Sequence, residues 1–209
     1  MLFNLVKKDF LITKKHILLL FLIGIIIPPA FQWQLSENAG VLAFTLSALF
    51  FIDLPLTYNS MKEYKCSKAA TLLCAAPYSR RQIVISKYIF GTIMYLACCV
   101  LFLVQTLYLK KLGGFHIKLA ILMFFVFALF QGIYIPVQYK IGYEMARNVS
   151  LILFILIWNV IAYSIVYEKT AFLRSSGFGF YGILSVLSIF ILVASACLSI
   201  NIYEKAELA

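Results

Sequence analysis

The side chains with chemistry to offer in this 209-residue sequence are the few polar ones set inside long apolar runs. Asp53 is the acid among them, and Gln105, Gln131 and Asn159 are the amides. In a low-dielectric interior such groups line a route for solutes or ions, or they bond neighbouring helices together. Asp53 stands near the end of its run, so an interfacial position and a pathway role both fit it. The amides fit pathway lining and helix packing alike. Enzyme chemistry finds little support: the chain has no H-E-x-x-H, no Ser–Lys arrangement and no paired intramembrane aspartates. It also lacks a P-loop of the form G-x-x-x-x-G-K-[ST], so an ATP-driven step needs a second chain to hold the nucleotide. No cofactor or metal site is expected here.

The elements that carry these residues cannot form a water-soluble core. Hydrophobic residues make up 64% of the chain and charged residues 12%, against roughly 45–50% and 25% in soluble domains. The mean hydropathy is +0.98. The formal charge of +10 comes from Lys and Arg residues that flank apolar runs rather than forming one patch. That pattern sets membrane topology beside anionic lipid and gives no reason to expect nucleic acid. The five cysteines show no C-x-x-C spacing and read as small apolar residues or free thiols. A cleaved signal peptide is not expected, since the first apolar run leads into Pro28-Pro29 and Trp33 without a small-residue cleavage site.

The fold expected is all-α: a single transmembrane domain over residues 1–209 with six spans. They run over about 17–31, 40–58, 88–109, 117–136, 149–167 and 180–202. Residues 1–15 place Leu2, Phe3, Val6 and Phe10 on one stripe, with Lys7, Lys8 and Lys15 mostly opposite. That suits an interfacial helix lying in the headgroup plane. Prolines are expected to end or break spans: Pro28-Pro29 the first, Pro55 the second, Pro136 the fourth. The N-terminus, the 59–87 loop, the 138–148 loop and the tail carry thirteen of the 18 Lys and Arg residues; Lys110, Lys111, Lys118, Lys169 and Arg174 lie opposite. Cytoplasmic segments hold the excess, so both termini point inward and the two polar loops are cytoplasmic.

The 59–87 loop is the richest segment. Ala69, Leu72, Leu73 and Ala76 make a short helical stripe that Pro77 must stop. Ser79-x-x-Gln82 then restarts a helix as a capping box. Nothing breaks that helix before Gly113-Gly114, and about thirty residues reach ~45 Å, beyond a ~30 Å hydrocarbon core. The third helix should therefore protrude into the cytoplasm with Arg80, Arg81 and Lys87. A short helix at its foot suits docking into another protein.

The run LLCAAPYSRRQIVISKYI resembles the LLxxLPxSRxxIVxxKY signature of small permease subunits of bacterial ABC-2 type exporters, at Leu72, Leu73, Pro77, Ser79, Arg80, Arg81, Ile83, Val84, Lys87 and Tyr88. The N-terminal LFNLVKKDFLITKK and the segment PVQYKIGYEMARN (136–148) are similar to the same family. Ala76 departs from it, standing where Leu is usual, and 59–65 is less acidic than typical. The resemblance implies two six-helix permeases, identical or related, in the bacterial plasma membrane. Two ATPase subunits on separate chains would bind ATP and Mg. It further implies that residues 1–15 are an elbow helix and that the first cytoplasmic loop is a coupling helix. Lys68, Ala69, Leu72, Leu73, Ala76, Pro77, Tyr78, Arg80 and Arg81 would then face the ATPase, with Glu144 and Arg147 as a second contact. Relatives of this small type export amphipathic peptides or confer bacteriocin immunity. An ion-coupled carrier or channel is the alternative; it is disfavoured by the scarcity of buried charge and of inverted repeats. A membrane-embedded enzyme is the third reading.

Overall fold

Apolar runs of this length must satisfy their backbone hydrogen bonds within the segment, and a helix does so. The computed structural model, which describes residues 2–34, 39–65, 79–108, 117–166 and 178–205, accordingly contains helices and, among the described residues, no strand. They are α1 (Leu2–Gln34), α2 (Ala39–Lys65), α3 (Arg80–Tyr108), α4 (Ile117–Ile141), α5 (Tyr143–Val166) and α6 (Phe178–Lys205). All six are long and apolar enough to cross a membrane.

Several boundaries differ from the expectation. Residues 2–15 are not a helix of their own but the first half of α1, which runs unbroken for 33 residues. No Gly or Pro between Leu2 and Leu22 offers a break, and Leu5, Val6, Asp9 and Thr13 are buried in the bundle. Nor do the prolines end their helices: Pro28, Pro29, Pro55 and Pro136 all lie inside. A proline deprives the carbonyl four residues earlier of its donor, and in two cases a neighbouring helix replaces it. Gln105 Nε2 of α3 donates to the Gly24 carbonyl that Pro28 frees, at 2.9 Å. Ser195 Oγ of α6 donates to the Gly132 carbonyl that Pro136 frees, at 2.7 Å. Glycine at both positions keeps the packing close: an added Cβ at Gly24 would stand 3.0 Å from the Phe51 ring of α2, and one at Gly132 would stand 3.2 Å from Ile191 of α6.

The second polar loop, expected over 138–148, shrinks to one residue. Helix α4 continues to Ile141, α5 starts at Tyr143, and Gly142 turns between them at a φ of 104°. Only glycine adopts that angle freely.

Helix α2 occupies the middle, touching α1, α3, α4 and α5, while α4 packs most extensively on α6. Phe44, Leu49, Phe51 and Ile52 of α2 meet Val84, Phe90 and Met94 of α3 and Met123, Phe127 and Phe130 of α4 in the core. Lipid is as apolar as these side chains, so close packing and interhelical bonds hold the bundle more than water exclusion does. Outward faces stay apolar, as Leu151, Ile155 and Val160 of α5 and Ile183, Val186 and Phe190 of α6 show.

Candidate functional site

One end of the bundle gathers the start of α1, the end of α2, the start of α3, the α4–α5 turn and the end of α6. Its geometry begins with Ser79, whose hydroxyl accepts from the Gln82 amide at 3.3 Å while Gln82 Oε1 accepts from the Ser79 amide at 3.4 Å. This reciprocal capping box starts α3 where the sequence pattern placed it. It also sets the direction of the next two residues. Arg80 donates to the backbone carbonyls of Tyr203 and Glu204, at 3.2 and 3.0 Å, where the last carbonyls of α6 lack helical partners. Arg81 Nε pairs with the Glu204 carboxylate at 2.8 Å on the exposed rim.

Two turns further into α3, Lys87 does not protrude as expected. It is only 4% exposed. Its ammonium meets Glu63 Oε2 of α2 at 2.6 Å and stands 5.2 Å from the Tyr139 ring of α4. The other oxygen of Glu63 takes Lys8 of α1 at 3.0 Å, and Lys8 also lies 3.3 Å from the fully buried Asp9. Ser86 Oγ completes the group 3.5 Å from Asp9 Oδ2. One carboxylate thus bridges three helices. A buried charge is tolerated only when paired in this way.

The backbone at Lys87 is held from a fourth helix. Gln131 Nε2 of α4 donates to the carbonyls of Lys87 and Tyr88, at 3.1 and 3.3 Å. Gly91 makes the room, since a Cβ there would stand 2.7 Å from the Gln131 amide. Tyr88 continues the tie to α6 through Ser195 and Ser199, at 2.6 and 3.0 Å.

Glu144, in the first turn of α5, and Arg147 are exposed at this same end. Tyr64, at the end of α2, stacks on Tyr143 with ring centroids 5.5 Å apart and reaches Glu144 Oε1 at 3.5 Å. So the α2 end, the α3 start and the α4–α5 turn stand together. Lys68, Ala69, Leu72, Leu73, Ala76, Pro77 and Tyr78 lie outside the described residues.

The four expected pathway residues are not brought together. Gln131 sits at the level of Lys87, and Gln105 lies about 27 Å further along α3 at ~1.5 Å per residue. Asp53 is buried beside Ser150 of α5. Asn159 is exposed on α5 and donates to its own helix at Ile155, 2.7 Å away. The recess bounded by Gly24, Ser47, Phe51, Cys98, Leu101, Phe102 and Gln105 is too narrow for a water molecule. Sequence reasoning missed Glu63, Lys8 and Asp9. The signal available was two acids flanked by lysines at the ends of apolar runs, a pattern that looks like ordinary interfacial charge.

A family model described as ABC-2 family transporter protein matches residues 4–204. The chain belongs to that family. As an ABC-2 family transporter protein it is a multi-pass membrane permease subunit, a transport component rather than a catalyst, and its energy comes from an ABC ATPase partner. The family thereby decides against the carrier reading, even though the buried Asp9 and Lys87 and the part-buried Glu63 supply more enclosed charge than the sequence suggested. No curated protein and no solved structure matches the chain.

Proposed function

We propose that this permease works in an exporter that moves amphipathic peptides or other apolar compounds out of the cell or the membrane. Two permease subunits, identical or related, act with two copies of the ATPase in the bacterial plasma membrane. The basic end is cytoplasmic, with both chain termini inside. The ATPase docks there through Lys68–Ala76, Pro77 and Tyr78, flanked by Arg80 and Arg81, with Glu144 and Arg147 as the second contact. The single observation that carries this reading is the convergence at the basic end. The helix end at Lys65, the capped helix start at Ser79–Arg80 and the Gly142 turn stand side by side, tied by Tyr64 to Tyr143 and Glu144. One partner surface can therefore touch both polar segments at once.

The apolar surface of the bundle supports the substrate class that the family resemblance implies. The outer faces of α5 and α6 are rows of large apolar side chains, which suit a lipid-dissolved, amphipathic solute entering from the inner leaflet better than a hydrated one. The experiment is co-expression and co-purification with an ABC ATPase from the same cell. The unmodified chain should retain the ATPase through detergent extraction, and Leu72→Asp with Leu73→Asp should lose it while the permease itself stays monodisperse. Retention of the ATPase by the double variant would remove the docking assignment.

A further inference from the structure

The part-buried ion pairs around Glu63 do more than neutralise each other. Glu63 sits two residues before the end of α2, and Lys87 lies two turns into α3, so the carboxylate joins the two helices that flank the ATPase-facing segment. Its second oxygen reaches back to Lys8 on α1. Lys87 is in turn braced by Gln131 on α4, through the bonds to its backbone carbonyl and that of Tyr88. Displacing the joined ends of α2 and α3 must therefore either break the 3.0 Å Lys8–Glu63 pair or carry α1 along. Opening that pair separates two part-buried charges that hold each other in place, so moving as one unit is the lower-energy course. Packed interfaces of this kind shift between discrete arrangements rather than stretch.

We propose that Glu63 is a positioning residue that couples α1 to the α2–α3 ends, so that α1 moves when the ATPase displaces those ends. This rests on the docking of the ATPase at the basic end. Lys8 and Lys87 are its partners, and Asp9 holds Lys8 in place at 3.3 Å.

The test uses the permease–ATPase complex in lipid nanodiscs, in a background without the native cysteines that keeps its ATP hydrolysis. Spin labels at the exposed positions Lys7 on α1 and Lys140 at the end of α4 report their separation, with and without ADP and vanadate. Because Glu63→Gln alone leaves Lys87 buried without its partner, the informative variant is Glu63→Met with Lys87→Met. It replaces the pair by apolar chains of similar volume and leaves Lys8 with Asp9, a replacement that buried pairs commonly tolerate. The complex without these two substitutions should change its Lys7–Lys140 separation on trapping. The double variant should bind the ATPase and hydrolyse ATP within about twofold of that complex, yet show no change in separation. An equal change in the variant, no change in the unsubstituted complex, or loss of the ATPase from the variant would each overturn the coupling role. Failure of the docking reading is separate: it shows as retention of the ATPase by the Leu72→Asp, Leu73→Asp chain.

Discussion

Replacing Gln105 by leucine removes the donor that Pro28 makes necessary. The Gly24 carbonyl has lost its helical partner to the proline ring and takes the Gln105 amide at 2.9 Å instead. Leucine fills a similar volume, so packing around Phe51 and Leu101 is largely kept and the change is chiefly the loss of one hydrogen bond. Interhelical bonds in membrane proteins are worth about 0.6 kcal/mol on average, up to about 1.7. A carbonyl left unpaired in a dry interior costs about 1–3 kcal/mol. The expected loss for Gln105→Leu is therefore about 1–2 kcal/mol. The decisive step is the second substitution. Pro28→Ala restores an amide that can reach the Gly24 carbonyl within α1, so when added to Gln105→Leu it should recover most of that loss. The assay is a double-mutant cycle by denaturant or thermal unfolding in one detergent. A coupling energy near about 1 kcal/mol is expected, roughly a fivefold effect on the equilibrium. Strictly additive effects, or a Gln105→Leu chain as stable as the original, would refute the idea that the amide replaces the missing proline donor.

Other outcomes follow from single positions. Gly91→Ala should drive the Gln131 amide off the Lys87 and Tyr88 carbonyls and lower stability by about 1–2 kcal/mol; adding Gln131→Ala should make the two losses less than additive in the same unfolding assay. Gly142→Ala meets no atom within 4 Å, so its loss of about 1–2 kcal/mol is purely backbone strain at a positive φ, and Gly142→Asn should be milder in the same measurement. Arg81→Ala breaks only an exposed pair with Glu204 and should leave the unfolding midpoint unchanged, while weakening ATPase co-purification.

What could be read in the sequence was local or compositional. The Ser79–Gln82 capping box was legible because both partners lie within four residues of each other, and the six spans were legible from hydropathy. Pro28 and Pro136 misled because their repair comes from afar. Gln105 lies 81 residues from Gly24 and Ser195 lies 63 from Gly132, so no window of sequence shows the replacement donor. A hint was present in the repeated Gly-x-x-x-Pro spacing, at Gly24–Pro28 and Gly132–Pro136, where the freed carbonyl belongs to a residue without a side chain. Lys87 was read as a protruding cation because lysines at span ends usually are. Its burial depends on Glu63 and on Tyr139, which reach it only once α2 and α4 are packed against α3. Gln131 and Gln105 looked alike in sequence as pathway or glue; in the bundle each donates to backbone carbonyls of another helix.

The central claim, a permease that moves an amphipathic peptide with energy from a partner ATPase, is tested most directly in proteoliposomes carrying both chains. A fluorescently labelled synthetic amphipathic helix is added on the ATPase side, and its accumulation in the vesicle interior is followed. The account predicts accumulation that requires both chains and Mg-ATP and that ceases with vanadate. Accumulation by the permease alone, driven by a proton or sodium gradient and indifferent to ATP, would contradict it.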